Sequence, residues 1–88
     1  MIRYRVLVSG RVQGVSFRAA CQWMAVQHGV TGWVRNLTDG RVEAVFEGPA
    51  LDVQHLLDWV QRGPRLAVVS DVAVQAEQPE GLNTFLIR

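Results

Sequence analysis

The apolar residues of the chain change their spacing across residues 9–18, and this change constrains the fold more than any other feature of the sequence. Before it, residues 2–8 read Ile-Arg-Tyr-Arg-Val-Leu-Val, a nearly regular alternation that predicts a β-strand. After it, apolar residues recur at the spacing of a helix, at Phe17, Ala20, Cys21, Met24 and His28. Gly10 and Gly14 therefore lie in a turn that leads from a strand into a helix.

The remaining segments complete a regular order of strands and helices. Strand-like residues at 30–37 and 41–47 flank a hairpin signal at residues 38–40 (Thr-Asp-Gly), and should pair antiparallel. A second helix between the Gly-Pro pairs at 48–49 and 63–64 carries an apolar stripe of Val53, Leu56, Leu57 and Val60. Strand-like residues at 67–76, a loop at 78–81 and a short strand at 85–87 follow.

This order predicts an α+β fold, a ferredoxin-like α/β sandwich. Its elements run β-α-β-β-α-β with a short C-terminal strand, and the two helices are expected on one face of an antiparallel sheet. All of residues 1–88 are expected to form a single domain, because a chain of 88 residues that is 49% hydrophobic supports one core.

Composition narrows the function classes. Nine basic and eight acidic residues are spread along the chain, so charge predicts neither nucleic acid nor an anionic membrane as a partner. The absence of lysine excludes a Schiff-base or P-loop lysine. A single cysteine, Cys21, forms no intrachain disulfide and leaves no cysteine pair for a metal carrier. With no signal-peptide pattern and no membrane-length apolar run, we expect a cytoplasmic protein.

Residues 10–18 have the properties of an anion site. Glycine permits close approach of the backbone to a ligand, and the first turn of a helix presents unpaired N–H groups. Arg18, just inside the helix, adds a planar set of donors suited to phosphate. The alternative is a tight connection with a helix cap, for which Ser16 is a natural N-cap and Gly29 a natural C′ residue.

Asn36 is the second candidate residue. Asparagine is depleted in strand interiors, yet Asn36 ends the strand-like segment that leads into the 38–40 turn. From spacing alone, closing the turn and serving a site both remain open.

Both stretches together resemble one family. Residues 10–18 (Gly-Arg-Val-Gln-Gly-Val-Ser-Phe-Arg) resemble the first acylphosphatase motif, and residues 32–36 (Gly-Trp-Val-Arg-Asn), with Gly40, Val42 and Gly48, resemble the second. The resemblance implies a hydrolase of the carboxyl-phosphate bond of acyl phosphates, acting as a monomer without metal or cofactor. It implies that Arg18 binds the phosphate and that Asn36 holds the attacking water. Ser16 and residues 19–21 depart from the family pattern.

The chemistry agrees with that implication. A carboxylate leaving group has a conjugate acid of pKa about 4 and needs no general acid, so His28 and His55 can be bystanders. Phosphate or sulfate is expected to bind as product or inhibitor. The amides expected to surround the phosphate, with Arg18, are those of Gln13, Gly14, Val15, Ser16 and Phe17.

Two other classes of protein compete with this interpretation. One is a non-catalytic ferredoxin-like module that binds an anion or a partner through the same loop. The other is an RNA binder that uses the open face of the sheet, which residues 41–47 disfavour because they offer one inward-facing aromatic and two acids.

Overall fold

The computed structural model describes all 88 residues and contains one five-stranded sheet with two helices. In chain order the elements are β1 (Ile2–Arg11), α1 (Phe17–Gln27), β2 (Thr31–Asn36), β3 (Val42–Gly48), α2 (Ala50–Val60), β4 (Val68–Glu77) and β5 (Phe85–Ile87). The predicted order is confirmed, and most strand ends differ by one residue from the prediction. The exception is β1, which runs on to Arg11 and pairs Gly10 with Val69, so Gly10 lies in the strand and not in the turn as predicted. Neither helix is long and apolar enough to cross a membrane.

The sheet order is β4-β1-β3-β2-β5, and all pairs are antiparallel except β2 with β5, which is parallel. The sheet is thus antiparallel, as predicted, apart from the short C-terminal strand, which pairs in parallel with β2 and places Phe85 beside Gly32. Gly32 is required in β2: its φ is +140°, and a Cβ at this position would lie 1.8 Å from the carbonyl oxygen of Val45.

The core lies between the helices and one face of the sheet. In α1 the buried side chains are Phe17, Cys21 and Ala25, whereas Met24 and His28 are partly exposed. The buried stripe of α1 is therefore rotated relative to the predicted one. The residues spaced four apart face the sheet, and Met24 packs at the edge of the core. Cys21 is fully buried, as expected of a core residue, and burial raises the pKa of its thiol.

The second helix buries Val53, Leu56 and Val60 of its predicted stripe, whereas Leu57 is only partly buried. Trp59 lies half-buried at the edge of the core, and its ring packs 5.3 Å from that of Phe17, the first residue of α1. This contact joins the C-terminal part of α2 to the start of α1. His55 is exposed and stacks on His28 with ring centroids 4.9 Å apart.

The other face of the sheet holds two buried carboxylates, those of Glu43 and Glu47. Glu43 accepts from Arg35 Nε at 2.6 Å and from Arg5 Nη1 at 3.1 Å. These acids alternate with apolar residues along β3, a pattern that indicates a solvated face, yet every residue of β3 is buried. Long arginine side chains cover the face and neutralise the acids within it.

Glu47 ties the loop between β4 and β5 to the centre of the sheet. Its carboxylate accepts hydrogen bonds from the backbone N–H groups of Glu80 at 2.7 Å, Gly81 at 2.9 Å and Leu82 at 2.8 Å, and lies 3.5 Å from Arg3 Nη1. Burial alone would raise the pKa of the carboxyl, but these donors outweigh it and the net pKa lies below the usual range.

Replacing Glu47 by glutamine should lower the free energy of unfolding by about 3 kcal/mol at neutral pH, because amide hydrogens then face backbone donors inside the protein. The folded pKa of Glu47 lies below its unfolded value of about 4.3, so its stabilisation is complete above that value and is lost as pH falls through the folded pKa. Urea unfolding of both proteins across the acid range should therefore show their difference narrowing at low pH.

Glu80→Gln is the matched control, because the Glu80 side chain is 63% exposed although it lies 3.5 Å from the same Arg3 guanidinium. An exposed pair of this kind is worth less than about 1 kcal/mol, so this variant should unfold almost as the wild type does. A Glu47→Gln deficit that stayed constant with pH would show that the carboxylate charge is not what holds the loop.

Candidate active site

A short loop connects the end of β1 to the start of α1. Gly14 has φ +73° and Ser16 has φ +63°, whereas Val15 between them has negative φ. Alternation of this kind turns successive backbone N–H groups toward the same side of the chain. Gly14 adopts its conformation freely, whereas the left-handed conformation of Ser16 is a local strain.

Ser16 occupies the N-cap position of α1, but its side chain makes no capping hydrogen bond. The prediction of a natural N-cap is therefore right about the position and wrong about the interaction. A capping side chain requires extended backbone geometry, and the left-handed backbone of Ser16 carries its hydroxyl elsewhere.

The N–H groups of the loop and of the first helical turn have no acceptor in the protein. In the loop, the only hydrogen bond formed by the backbone is Ala20 N–H to Ser16 O at 3.1 Å. The amides of residues 13–19 therefore donate to no backbone or side-chain group. Unpaired amides at the positive end of a helix dipole favour an anion.

Arg18 is the second residue of α1 and is exposed. It forms none of the ion pairs that occupy Arg3, Arg5, Arg35 and Arg41. Its guanidinium is therefore free to bind a ligand beside the unpaired amides.

Asn36 is the last residue of β2 and pairs with Val42 of β3. Side chains alternate along a strand, so Asn36 lies on the same face as the buried Val34, toward the helices. Its Oδ1 atom is buried and has no hydrogen-bond partner. An unpartnered buried acceptor costs stability, and such a group is usually retained for function.

The loop, Arg18 and Asn36 meet at one cavity of about 480 Å³. It is lined by Val12, Gly14, Ser16, Phe17, Arg18, Ala19, Asn36 and Ile87. The structure thus brings together Arg18, Asn36 and three of the predicted loop residues. The other two lie behind the lining: Val15 is buried in the core, and the side chain of Gln13 turns toward the β2–β3 hairpin.

The charged lining of the cavity consists of Arg18 alone. No histidine, cysteine or carboxylate reaches it, and His28 and His55 stack on each other outside its lining. The cavity can therefore bind and orient an anion, but it has no side chain suited to accept or donate a proton near neutral pH.

Two features of the site were not predicted from the sequence. Ile87 lines the cavity because β5 pairs in parallel with β2, a pairing that a three-residue strand does not signal. The Gln13 carboxamide reaches carbonyl groups in the hairpin, and its place directly before Gly14 in the loop is the one signal that could have singled it out.

Fold and cavity together define a class: a small ferredoxin-like protein in which a strand-to-helix loop of free amides faces an asparagine at the end of a neighbouring strand. The family model described as Acylphosphatase matches residues 4–87. The chain therefore belongs to the acylphosphatase family, as the two motifs predict, and the expected enzyme class, acylphosphatase, is confirmed.

Individual relatives agree over the whole chain. An acylphosphatase from Gloeobacter violaceus is 58% identical over 84 residues, which cover 96% of this chain and 90% of that protein. One from Trichormus variabilis is 56% identical over 88 residues, which cover 100% and 87%. An acylphosphatase from Bacillus subtilis is 40% identical in sequence. Its crystal structure superposes with a TM-score of 0.96, and the match covers 100% of this chain and 99% of that one. The ferredoxin-like fold is thereby confirmed.

Proposed function

We propose that this protein cleaves acyl phosphates by direct attack of one water molecule on phosphorus. The phosphoryl group is held by Arg18 and by the backbone amides of residues 13–17, and the water is held by the Asn36 carboxamide. Membership of the family gives the reaction itself, hydrolysis of an acyl phosphate to a carboxylate and inorganic phosphate. The assignment of roles to these residues is our proposal.

One observation supports it above the others: unpaired donors line the same cavity as Asn36, whose buried Oδ1 atom is an unpaired acceptor. The loop amides and Arg18 have no acceptor in the protein, while Asn36 Oδ1 has no donor. A phosphoryl group satisfies the first set, and a water molecule that donates a hydrogen bond satisfies the second. The water oxygen is then oriented toward phosphorus.

The expected transition state requires little more than this. Phosphoryl transfer is largely dissociative, and the need is to position the reactants and to stabilise charge on the equatorial oxygens. Each charge-assisted hydrogen bond contributes about 1.5–3 kcal/mol. Several amides and one guanidinium therefore stabilise the charge that metal ions stabilise in other enzymes.

The bonds and protons balance without an acid or base from the protein. The bond between the water oxygen and phosphorus forms as the bond between phosphorus and the acyl oxygen breaks, and that electron pair leaves on the carboxylate. The water proton passes to a phosphate oxygen, since the cavity lining offers no titratable base. Inorganic phosphate, and sulfate as its analogue, should occupy the same donors as product and inhibitor.

Hydrolysis of acetyl phosphate in ¹⁸O-labelled water, with a metal chelator present, tests this mechanism. We expect one labelled oxygen in the phosphate and none in the acetate, measured by mass spectrometry after correction for uncatalysed hydrolysis. The chelator should leave the rate unchanged.

Label in the acetate would mean that water attacks the carbonyl carbon, and the roles given to Arg18 and Asn36 would then be wrong. A rate no higher than the uncatalysed one would instead favour a non-catalytic module that binds an anion or a partner.

We further propose that the protein works as a single domain over residues 1–88, as a monomer in the cytoplasm, without a nucleic-acid or membrane partner. A lone buried cysteine suits a reducing compartment. Arg3, Arg5 and Arg35 on the open sheet face are bound to carboxylates, which leaves few free cations there for a phosphate backbone.

A further inference from the structure

Gln13 connects the two halves of the cavity. Its side chain starts in the loop before α1 and ends in the hairpin that follows β2. Its Nε2 atom donates to the carbonyl oxygen of Leu37 at 2.7 Å and to that of Arg41 at 3.0 Å. Both amide hydrogens are therefore used, and the carboxamide is half-buried between the two segments.

The two acceptors are the residues that close the hairpin. Leu37 N–H donates to Arg41 O at 2.8 Å, so the Arg41 carbonyl accepts from Leu37 and from Gln13 together. Leu37 directly follows Asn36 in the chain. The carboxamide thus binds the hairpin one residue away from the side chain to which we assign the water.

No other hydrogen bond joins residues 12–19 to the hairpin. The loop amides and Arg18 belong to one chain segment, whereas Asn36 belongs to another that is about twenty residues further on. Without a connection, each segment could keep its own geometry while the distance between them varied. In-line attack requires that distance to be fixed, and a displacement of about 1 Å can cost about 10²-fold in rate.

We infer that Gln13 is a positioning residue: its side chain holds the Asn36 end of the hairpin against the loop so that the water lies in line with the acyl oxygen. This inference rests on the function proposed above. It adds that Gln13 acts on turnover through Asn36, beyond the contribution of its backbone amide to phosphate binding.

Gln13→Met tests the inference, because methionine keeps the length of the side chain and removes both donors. We expect kcat to fall about 10- to 100-fold, with KM and the inhibition constant of inorganic phosphate within about threefold of the wild type. Backbone donors and Arg18 remain in place in this variant, so phosphate binding should persist while alignment is lost.

Gln22→Met is the matched control. Gln22 also uses Nε2 to reach a distant carbonyl, that of Phe85 at 2.9 Å, and so the same substitution removes a similar bond between α1 and β5. The melting temperature should fall by a similar amount in both variants, but kcat should fall only in Gln13→Met. A Gln13→Met kcat within twofold of the wild type, or a parallel loss in Gln22→Met, would overturn the inference.

A double-mutant cycle shows whether Gln13 acts through Asn36. In an Asn36→Ala background, Gln13→Met should lower kcat by less than about twofold, since no held water remains to be aligned. Full additivity of the two losses would contradict the inference. Such additivity would not affect the proposed function, which is tested by the labelled-water experiment and by the single variants of Arg18 and Asn36.

Gln13→Glu provides a test that does not depend on methionine being tolerated. Its carboxylate donates nothing near neutral pH, whereas its protonated form supplies one hydrogen below a pKa of about 4.3. The ratio of variant kcat to wild-type kcat should therefore rise between about pH 7 and about pH 4. A ratio that stays flat would show that donation to the hairpin does not govern turnover.

Discussion

Replacing Arg18 by alanine is expected to lower kcat/KM for an acyl phosphate by about 10³-fold. The guanidinium is exposed, has no carboxylate partner and lines the cavity with the unpaired loop amides. Two charge-assisted hydrogen bonds to phosphoryl oxygens contribute about 1.5–3 kcal/mol each, and each 1.36 kcal/mol is a factor of ten in rate. Steady-state kinetics with a simple acyl phosphate measures this loss, and phosphate inhibition should weaken as well.

Arg11→Ala controls for the loss of one positive charge. Arg11 ends β1, is exposed, has no ion-pair partner and does not line the cavity. Its removal should change kcat/KM by less than about threefold, because an exposed charge outside the cavity is screened by solvent. Arg18→Lys should recover little activity, since a point charge lacks the paired donors of a guanidinium. An Arg18→Ala enzyme with wild-type kinetics would remove Arg18 from the site.

Replacing Asn36 by alanine should lower kcat by about 10²- to 10³-fold and leave phosphate inhibition within about threefold of the wild type. The carboxamide is assigned to the water, so its loss leaves the phosphoryl donors intact. The unfolding free energy should change by less than about 1 kcal/mol, because the buried Oδ1 atom has no partner whose loss would cost stability. Kinetics and urea unfolding of the same variant measure both quantities.

The chain's other asparagine, Asn83, supplies the control for this variant. It is exposed in the loop between β4 and β5, and Asn83→Ala should keep full turnover. If Asn36→Ala were strongly destabilised in proportion to its loss of rate, the turn-closing interpretation of Asn36 would be the correct one. Unchanged turnover would remove it from the reaction.

Local features of the sequence were enough to predict most of the fold and the two main candidate site residues. Periodicity gave the order of elements, and Gly29 ends α1 with φ +66°, as its position predicts. The two motifs selected Arg18 and Asn36, which the fold brings to one cavity. These successes depend on residues whose roles follow from their immediate neighbours in the chain.

The features that escaped prediction depend on partners far along the chain. Glu47 looks like a solvated strand residue until three backbone N–H groups, 33 to 35 residues later, enclose its carboxylate. Gln13 looks like an ordinary loop residue until the hairpin 24 and 28 residues away supplies its acceptors. The left-handed backbone of Ser16 likewise follows from loop geometry, which local preference opposes.

The loop and Arg18 are assigned to the phosphoryl group and Asn36 to the water, and calorimetric titration with inorganic phosphate separates these two roles. The wild type, Arg18→Ala and Asn36→Ala are compared under the same conditions. We expect Arg18→Ala to weaken phosphate binding by at least about tenfold, and Asn36→Ala to change it by less than about threefold although its turnover has fallen far more. Equal weakening in both variants, or weakening in Asn36→Ala alone, would contradict this assignment.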